Sequence, residues 1–521
     1  MSERLSSIVI VGGGTAGWMT AAMLAKRLGA GRQDGVRITL IESTDIGTIG
    51  VGEGTFPTFR NFLRDLDIDE AEFLRECSAA FKQGIKFVDW EHTPSNGHHA
   101  YYFHLFNTPH LYSKKTDLAP YWLLGMAGDV SFSDATTVQH STVEAVKAPK
   151  RISDRPYHGP LNYAYHLDAA KLAVFMKKYA VRMGVRHLIG NVERVELDDS
   201  GAISALVTKE HGALDATLYV DCTGFAGLLI GRALNEPWRD VTNTLFVDRA
   251  VAMQVPYVRE DTPIIPATVS SAHEAGWTWD IGLDSRRGIG YCYSSKYSDD
   301  DRAEQVLRDY IGPAAEGRNA RRIKMRIGFR DRQWVKNCVS VGLSAGFLEP
   351  LESTGIIQIE AAAILIAEYF PHGGRDMERV AKHFSTIMRR RFELAVDFIK
   401  LHYFISKRAD NQFWIDNTKP ETASDALKEK LDIWKWRAPR PLDFDTTYEA
   451  FGYQNYQYIL FGLGYRPEIS GSEFAYPLAA EAEIEFRRLR SDSEKIMQAM
   501  PDHRALLRQV YESGFQPQTA Q

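Results

Sequence analysis

The ten residues from Ile8 to Gly17 constrain this chain more than any other stretch. Ile8-Val9-Ile10-Val11 is a short unbroken apolar run, the pattern of a strand buried on both faces in a parallel sheet. It runs straight into Gly12-Gly13-Gly14-Thr15-Ala16-Gly17, and residues 18–28 are good helix formers throughout. A second apolar strand, 36–41, closes on Glu42. Strand, glycine turn, helix and acid-terminated strand make a βαβ unit that binds a dinucleotide for physical reasons. Glycines let the backbone approach a pyrophosphate, and the helix N-terminus offers free N–H groups and a positive dipole end. Gly12, Gly14, Thr15, Ala16 and Gly17 are therefore the candidate contacts, with Glu42 placed to hold ribose hydroxyls. Glu42 lies further on than the usual ~20 residues, an excess that the loop-like insert 29–35 accounts for.

Two later strand ends narrow the choice of dinucleotide. Leu218-Tyr219-Val220-Asp221-Cys222-Thr223-Gly224 ends in an acid and a glycine turn, and Val339-Ser340-Val341-Gly342 is another such end. Three strand-to-glycine turns over the first two-thirds of the chain suit an extended FAD better than NAD, with Asp221 and Gly342 as further cofactor candidates. No second complete fingerprint appears, so a separate NAD(P)H domain is not expected. Residues 85–90, 101–104 and 278–281 read as strands of a second sheet, and 166–182 and 356–370 as helices. From about 374 the chain reads as helix and loop, with a polar end at 516–521 that is expected to fray.

Composition sets the outer bounds. The 521 residues are 44% hydrophobic and 25% charged, ordinary globular values. The formal charge of −5, from 62 basic and 67 acidic side chains, argues against a nucleic-acid partner. No apolar run is long enough to span a bilayer, no signal peptide is visible, and the four cysteines form no CxxC. A cytoplasmic protein is expected, with no metal site.

Over most of its length up to about Phe370, with weaker similarity near Asn455 to Gly464, the chain resembles the flavin-dependent halogenases, the family typified by the tryptophan halogenases. Gly342-Leu-Ser-Ala-Gly-Phe-Leu-Glu-Pro-Leu-Glu-Ser-Thr-Gly-Ile356 carries the family's spaced Phe347, Pro350, Ser353 and Gly355. Trp277-Thr278-Trp279-Asp280-Ile281 is similar to its W-x-W-x-I-P signature, with Gly282 in place of the proline. Gly50-Val-Gly-Glu-Gly-Thr-Phe-Pro57 is similar to its flavin strap, with Gly54 where many members have alanine, and it adds Gly52 and Glu53 to the cofactor candidates, as Ile356 is added by the first segment.

The resemblance gives roles to residues that local reading leaves plain. Lys82 follows Leu74, Cys77 and Phe81 at helical spacing, and by itself reads as a solvated flank or a snorkelling stem. In the family the matching lysine is essential: it offers an ammonium donor to hypohalous acid or an amine that is itself halogenated. Glu352, Ser353 and Thr354 precede an apolar helix and by themselves read as its cap. The resemblance implies that Glu352 stabilises the cationic ring intermediate and accepts its proton, that Ser353 orients Lys82, and that the N–H groups of Thr354 and Gly355 hold halide. Trp277 and Trp279 alternate on a strand, so both indoles face one side; either they pack the core or, as the family implies, they wall substrate from flavin. Gly282 leaves more room in that turn.

His104-Leu105-Phe106 matches the spacing of the family's indole sandwich, although an aromatic patch on a sheet edge is the plainer reading. Phe451 falls where tryptophan halogenases place a Trp, counting back from Asn455. Their paired tyrosines and glutamate for the amino-acid group find no clear match; Thr446 stands near the expected acid. Burying a free zwitterion without partners is costly, so an indole or related electron-rich arene is expected rather than free tryptophan.

The expected fold is α/β, a glutathione-reductase-like or aromatic-hydroxylase-like FAD module with mixed sheets plus a mainly helical C-terminal region. The body would span residues 1–372, with FAD segments at about 1–90, 151–240 and 325–372 and a second sheet at about 91–150 and 241–324; residues 373–521 would cover the substrate. The expected reaction is halogenation of an electron-rich arene with FADH2, O2 and chloride or bromide, bromide being the easier to oxidise. A separate flavin reductase would supply FADH2, and a homodimer is a family-level expectation. An FAD-dependent aromatic monooxygenase and a catalytically silent flavin-binding or interaction protein are the alternatives.

Overall fold

The computed structural model describes residues 5–45, 52–113, 116–371, 373–445 and 449–517. Gly50, Val51, Thr446 and the last four residues of the polar end lie outside them. A six-stranded sheet is ordered Arg186–Ile189, Arg37–Glu42, Ser7–Val11, Leu218–Asp221, Cys338–Ser340 and Trp334–Val335. All neighbours are parallel but the last pair. Pairing aligns Val11 with Ile41 and Asp221, and Asp221 with Ser340. The three strand ends singled out in the sequence therefore finish side by side, with the helix Thr15–Leu28 starting among them. Helices Ala169–Arg182 and Thr354–Glu368 pack on that helix.

A seven-stranded mixed sheet lies beyond it, ordered Arg321–Lys324, Arg249–Pro256, Arg286–Tyr293, Gly276–Gly282, Thr268–His273, Gly84–Val88 and Tyr101–Leu105. A small antiparallel sheet has Ala164–Asp168 at its centre, flanked by Gly52–Gly54 and Ala80–Lys82. His166 pairs with both Gly54 and Ala80, which brings the strap and the Lys82 strand onto one ladder. Buried Glu70 braces that ladder: its carboxylate accepts from Lys150 Nζ at 2.8 Å and from the hydroxyls of Tyr163 and Tyr165 at 2.7 Å. Each Glu70 oxygen accepts from two donors, the Tyr157 N–H being the fourth, so the network fixes geometry more than it adds net stability.

The C-terminal part is mainly helical: Met377–Phe404, Gln412–Asn417, Asp425–Ile433, Tyr453–Gly462, Ala479–Ala499 and His503–Ser513. None of the described helices is long and apolar enough to cross a membrane.

Two local readings are corrected. Residues 166–182 are not one helix: Ala164–Asp168 is a strand, and the helix starts at Ala169, where the Asp168 carboxylate accepts from the N–H groups of Ala170 and Lys171. A capping acid ended the helical pattern that the alanines and leucines suggested. Lys82 likewise does not continue a helix. The helix Glu70–Glu76 stops, Ser78 takes a left-handed φ of 47°, and the chain re-enters as the strand Ala80–Lys82.

Candidate functional site

A cavity of about 670 Å³ opens at the aligned strand ends. Gly12, Gly14, Thr15, Ala16, Glu42 and Gly342 line it, with Gly52, Glu53 and the N-terminal turn of the helix Thr354–Glu368. Gly12 has φ +110°, and a Cβ there would lie 2.3 Å from the Cys222 carbonyl oxygen. Only glycine permits this close approach of the two strand ends. A Cβ on Gly17 would lie 1.9 Å from the Gly12 carbonyl. Gly17 thus serves the close helix-to-turn packing and is not itself on the cavity wall. The cradle fits an extended dinucleotide: an apolar slot along the glycine turn, a helix N-terminus at its middle, and the Glu42 carboxylate on its wall.

Asp221 is corrected from a cofactor contact to a support. It is fully buried, and its carboxylate accepts from the Thr223 N–H and hydroxyl and from the N–H groups of Leu229 and Ile230. It holds the turn whose Cys222, Thr223 and Gly224 face the cavity. Glu53 does face it, and burial pushes its carboxyl up to about 7.

Ser353 joins this cavity to a second, drier cluster. The residue has φ 55°, an unfavourable left-handed conformation for a side chain with a Cβ. It sits at the N-cap of the helix Thr354–Glu368, yet its hydroxyl makes no cap hydrogen bond. Instead Ser353 Oγ accepts from Lys82 Nζ at 2.8 Å, while Ser353 also lines the cavity. Capping therefore does not describe Ser353. Gly54 faces the same pair, since a Cβ there would lie 2.8 Å from both Lys82 Nζ and Ser353 Oγ. Lys82 is fully buried, and burial brings its amine down to about 7 although the Glu352 carboxylate opposes the fall. Near neutral pH it can therefore present either a proton or a lone pair.

Glu352 is not at a solvated helix end either; it is 1% exposed. His104 Nδ1 lies 3.0 Å from both its oxygens, and His402 Nε2 lies 2.9 Å from Oε1. Burial alone would raise this carboxyl, but the charge and hydrogen bond of His104, then those of His402, outweigh it and hold it at about 2. The result is a carboxylate kept charged in an apolar surround, where charge acts strongly.

Aromatic rings close the cluster. Phe106 has Lys82 Nζ 5.4 Å from its centroid, and Phe56 bridges Phe106 and Phe451 at 5.9 and 5.3 Å. Phe451 stacks on Phe398 at 4.0 Å. His104 has its nitrogens engaged by Glu352 and by Asn455 Oδ1, 2.8 Å away, which leaves its ring faces for the stacking the resemblance implies. The tryptophans divide. Trp279 lines the cavity, whereas Trp277 is 1% exposed and donates from Nε1 to Glu349 Oε2 at 2.8 Å. Their rings do meet on one face of the strand, 6.4 Å apart. Gly282 leaves no spare room: a Cβ there would lie 2.9 Å from Ile264 Cγ2 and from the Tyr257 hydroxyl.

His402, Phe398, Phe56 and the Asn455 side-chain contact escaped the sequence reading. Phe398 and His402 lie one turn apart on the helix Met377–Phe404, a buried stripe that periodicity marks only as core.

Comparison with known proteins agrees with this geometry. The family profile described as tryptophan halogenase matches residues 7–475. The tryptophan 6-halogenase SttH of Streptomyces toxytricini is 38% identical over 520 residues, covering 95% of this chain and 96% of that one. A crystal structure of a tryptophan halogenase from Shewanella frigidimarina NCIMB 400 superposes with a TM-score of 0.93 at 35% identity, covering 99% of each chain. BrvH, a flavin-dependent halogenase from Brevundimonas sp. BAL3, gives 0.87 at 31% identity, covering 97% of this chain and 99% of that one.

Proposed function

The chain belongs to the tryptophan halogenase family, and from that premise we propose that it is an FADH2-dependent halogenase of electron-rich, indole-like arenes. The observation that carries the reading is the 2.8 Å contact from Lys82 Nζ to Ser353 Oγ, because Ser353 also lines the dinucleotide cavity. One amine thereby stands at the border between the place where an oxidised halogen would arise and the aromatic pocket where it would be used.

Gly12, Gly14, Thr15, Ala16, Glu42, Gly52 and Gly342 would hold the cofactor. Reduced FAD, when bound, would give two electrons to O2, whose remaining two oxidising equivalents would convert halide to hypohalous acid, with water as the other product. The N–H groups of Thr354 and Gly355, at a helix N-terminus on the cavity wall, suit a halide. Lys82 receives the hypohalous acid and fixes its halogen, with Ser353 orienting the amine. The ring carbon then attacks halogen, the halogen–oxygen bond breaks, and the leaving hydroxide takes a proton from the Lys82 ammonium to become water. Glu352 faces the resulting cationic ring as a carboxylate; the ring C–H bond breaks, its electron pair restores aromaticity, and the proton goes to a Glu352 oxygen. Trp279 separates the two compartments. A separate flavin reductase would supply FADH2.

Phe106 stands beside Lys82 and packs in turn through Phe56 and Phe451 to Phe398, an apolar surround that suits a flat apolar ring better than a free zwitterion. Incubation with FAD, reductase, NADH and bromide should give brominated indole, seen by mass spectrometry as an isotope doublet, with less product from L-tryptophan run in parallel. Oxygen gained without halogen would overturn the activity. A low-micromolar dissociation constant for L-tryptophan would remove the substrate preference alone.

Glu53 predicts how cofactor affinity varies with pH. Its carboxyl, raised to about 7 by burial, is neutral below that pH and charged above it. FAD carries an anionic pyrophosphate, so affinity should fall severalfold between about pH 6 and pH 8. Fluorescence titration should show the fall in the parent and a flat profile in Glu53→Gln.

A further inference from the structure

His402 makes a geometric demand that His104 does not. It is fully buried on the helix Met377–Phe404, with Nδ1 2.9 Å from the Phe398 backbone oxygen and Nε2 2.9 Å from Glu352 Oε1. A carbonyl oxygen only accepts, so Nδ1 carries a hydrogen. Nε2 then faces a carboxylate oxygen, and that contact is a hydrogen bond only with a second hydrogen between the two atoms. The pair therefore holds one proton more than a neutral imidazole and a carboxylate together. His104 is under no such constraint, because the Asn455 amide beside its Nε2 can turn to donate instead of accept.

We propose that His402 is a positioning residue of the halogenation step, an imidazolium that keeps Glu352 an oriented carboxylate where burial would otherwise make it a neutral acid. The inference rests on the halogenase reading and deepens it. The groups facing Glu352 are His104 and Tyr102 on the strand Tyr101–Leu105, Lys82 on the strand Ala80–Lys82, and His402 itself. Burial pushes the Tyr102 hydroxyl well above its ordinary range, so it stays neutral, and Lys82 is losing its proton near pH 7. Around the His402 ring stand Phe87, Trp90 and Phe398, none of which ionises. His104 also turns a hydrogen towards Glu352, but of the two imidazoles in hydrogen-bond contact with it His402 is the one whose geometry calls for hydrogens on both ring nitrogens.

The test is the pH profile of kcat for arene bromination by the full-length, FAD-loaded enzyme, parent against His402→Phe and His402→Gln. Glutamine keeps a donor at nearly the Nε2 position but carries no charge. In the parent, Glu352 is charged across the whole working range and contributes no acid limb. In His402→Phe, where His104 alone is left to oppose burial, Glu352 should protonate at higher pH than in the parent, and an acid limb that the parent lacks should appear, with kcat falling about tenfold for each pH unit below it. Removing one partner of a buried ion pair can unfold a protein, and His402→Gln guards against that outcome. It should recover most of the high-pH rate yet retain the raised acid limb. The Lys82 titration is common to all three proteins and drops out of the comparison. A His402→Gln profile superimposable on the parent's, or an equal loss at every pH in both variants, would overturn the proposal. A parent that makes no halogenated arene would instead overturn the halogenase reading.

Discussion

Lys82→Ala is expected to lose arene halogenation by roughly 10³-fold or more, the scale on which a group acting in concert with its partners is lost. FAD affinity should be unchanged, because Lys82 touches Ser353 and not the glycine cradle. Upstream chemistry should also persist, so hypohalous acid no longer retained at the amine should escape and halogenate an added nucleophile in solution. Lys82→Met fills the same apolar stem without an amine and should behave like Lys82→Ala, which separates packing from chemistry. Lys82→Arg distinguishes the two roles open to the amine. Burial brings the lysine to about 7, so it exists in both forms at neutral pH; arginine stays protonated throughout. Activity retained in the arginine variant would mean that hydrogen-bond donation suffices, and activity lost would mean that the halogen is carried on a neutral amine. Parent-rate product from Lys82→Ala would refute the role altogether.

The legible and illegible parts of this protein divide by sequence distance. The FAD cradle is written locally: strand, glycines, helix and Glu42 follow one another, and the same local pattern recurs at Asp221 and Gly342. Lys82 was legible only through the family resemblance. Its strand is set by pairing with Ala164, and the left-handed turn at Ser78 that redirects the chain has no composition signal. Read locally, Ser353 is a helix cap, because a serine before an apolar helix usually is one; only the family resemblance joins it to Lys82, 271 residues earlier, whose amine its hydroxyl accepts from. His402 is the extreme case. It stands in a stripe that looks like helix core, and only the folded chain sets it against Glu352, 50 residues back in sequence. Local rules therefore describe the glycine cradle well and the cluster around Lys82 and Glu352 poorly, since that cluster is assembled from the small sheet, the helix start at Ser353 and the long C-terminal helix.

Glu352→Gln should lower kcat by about 10²–10⁴, the range for loss of a general base, with little change in FAD binding. Two losses combine. Glutamine has no charge to set against the cationic ring and cannot take its proton. It also disrupts its own surroundings: His104 Nδ1 and His402 Nε2 both lie within 3.0 Å of Oε1, where an amide oxygen can accept from each, but the amide NH2 then takes the Oε2 place and sets a donor against His104 Nδ1. Glu352→Asp keeps the charge but shortens the reach and should fall between parent and glutamine. A mere stability defect would lower active enzyme without changing which step is slow. Loss of the base instead makes ring C–H cleavage slow, so substrate deuterated at the reacting carbon should show a primary isotope effect in Glu352→Gln that the parent lacks. Stability changes with a definite sign as well. A carboxyl held at about 2, below its ordinary 4.5, stabilises the fold above the ordinary value and ceases to do so as pH falls towards 2. The parent's advantage over Glu352→Gln in thermal denaturation should therefore be full at neutral pH and shrink through that acid window. An advantage that grew on acidification would mean that Glu352 is not held as a carboxylate, and the assignment of base and electrostatic partner would fall with it.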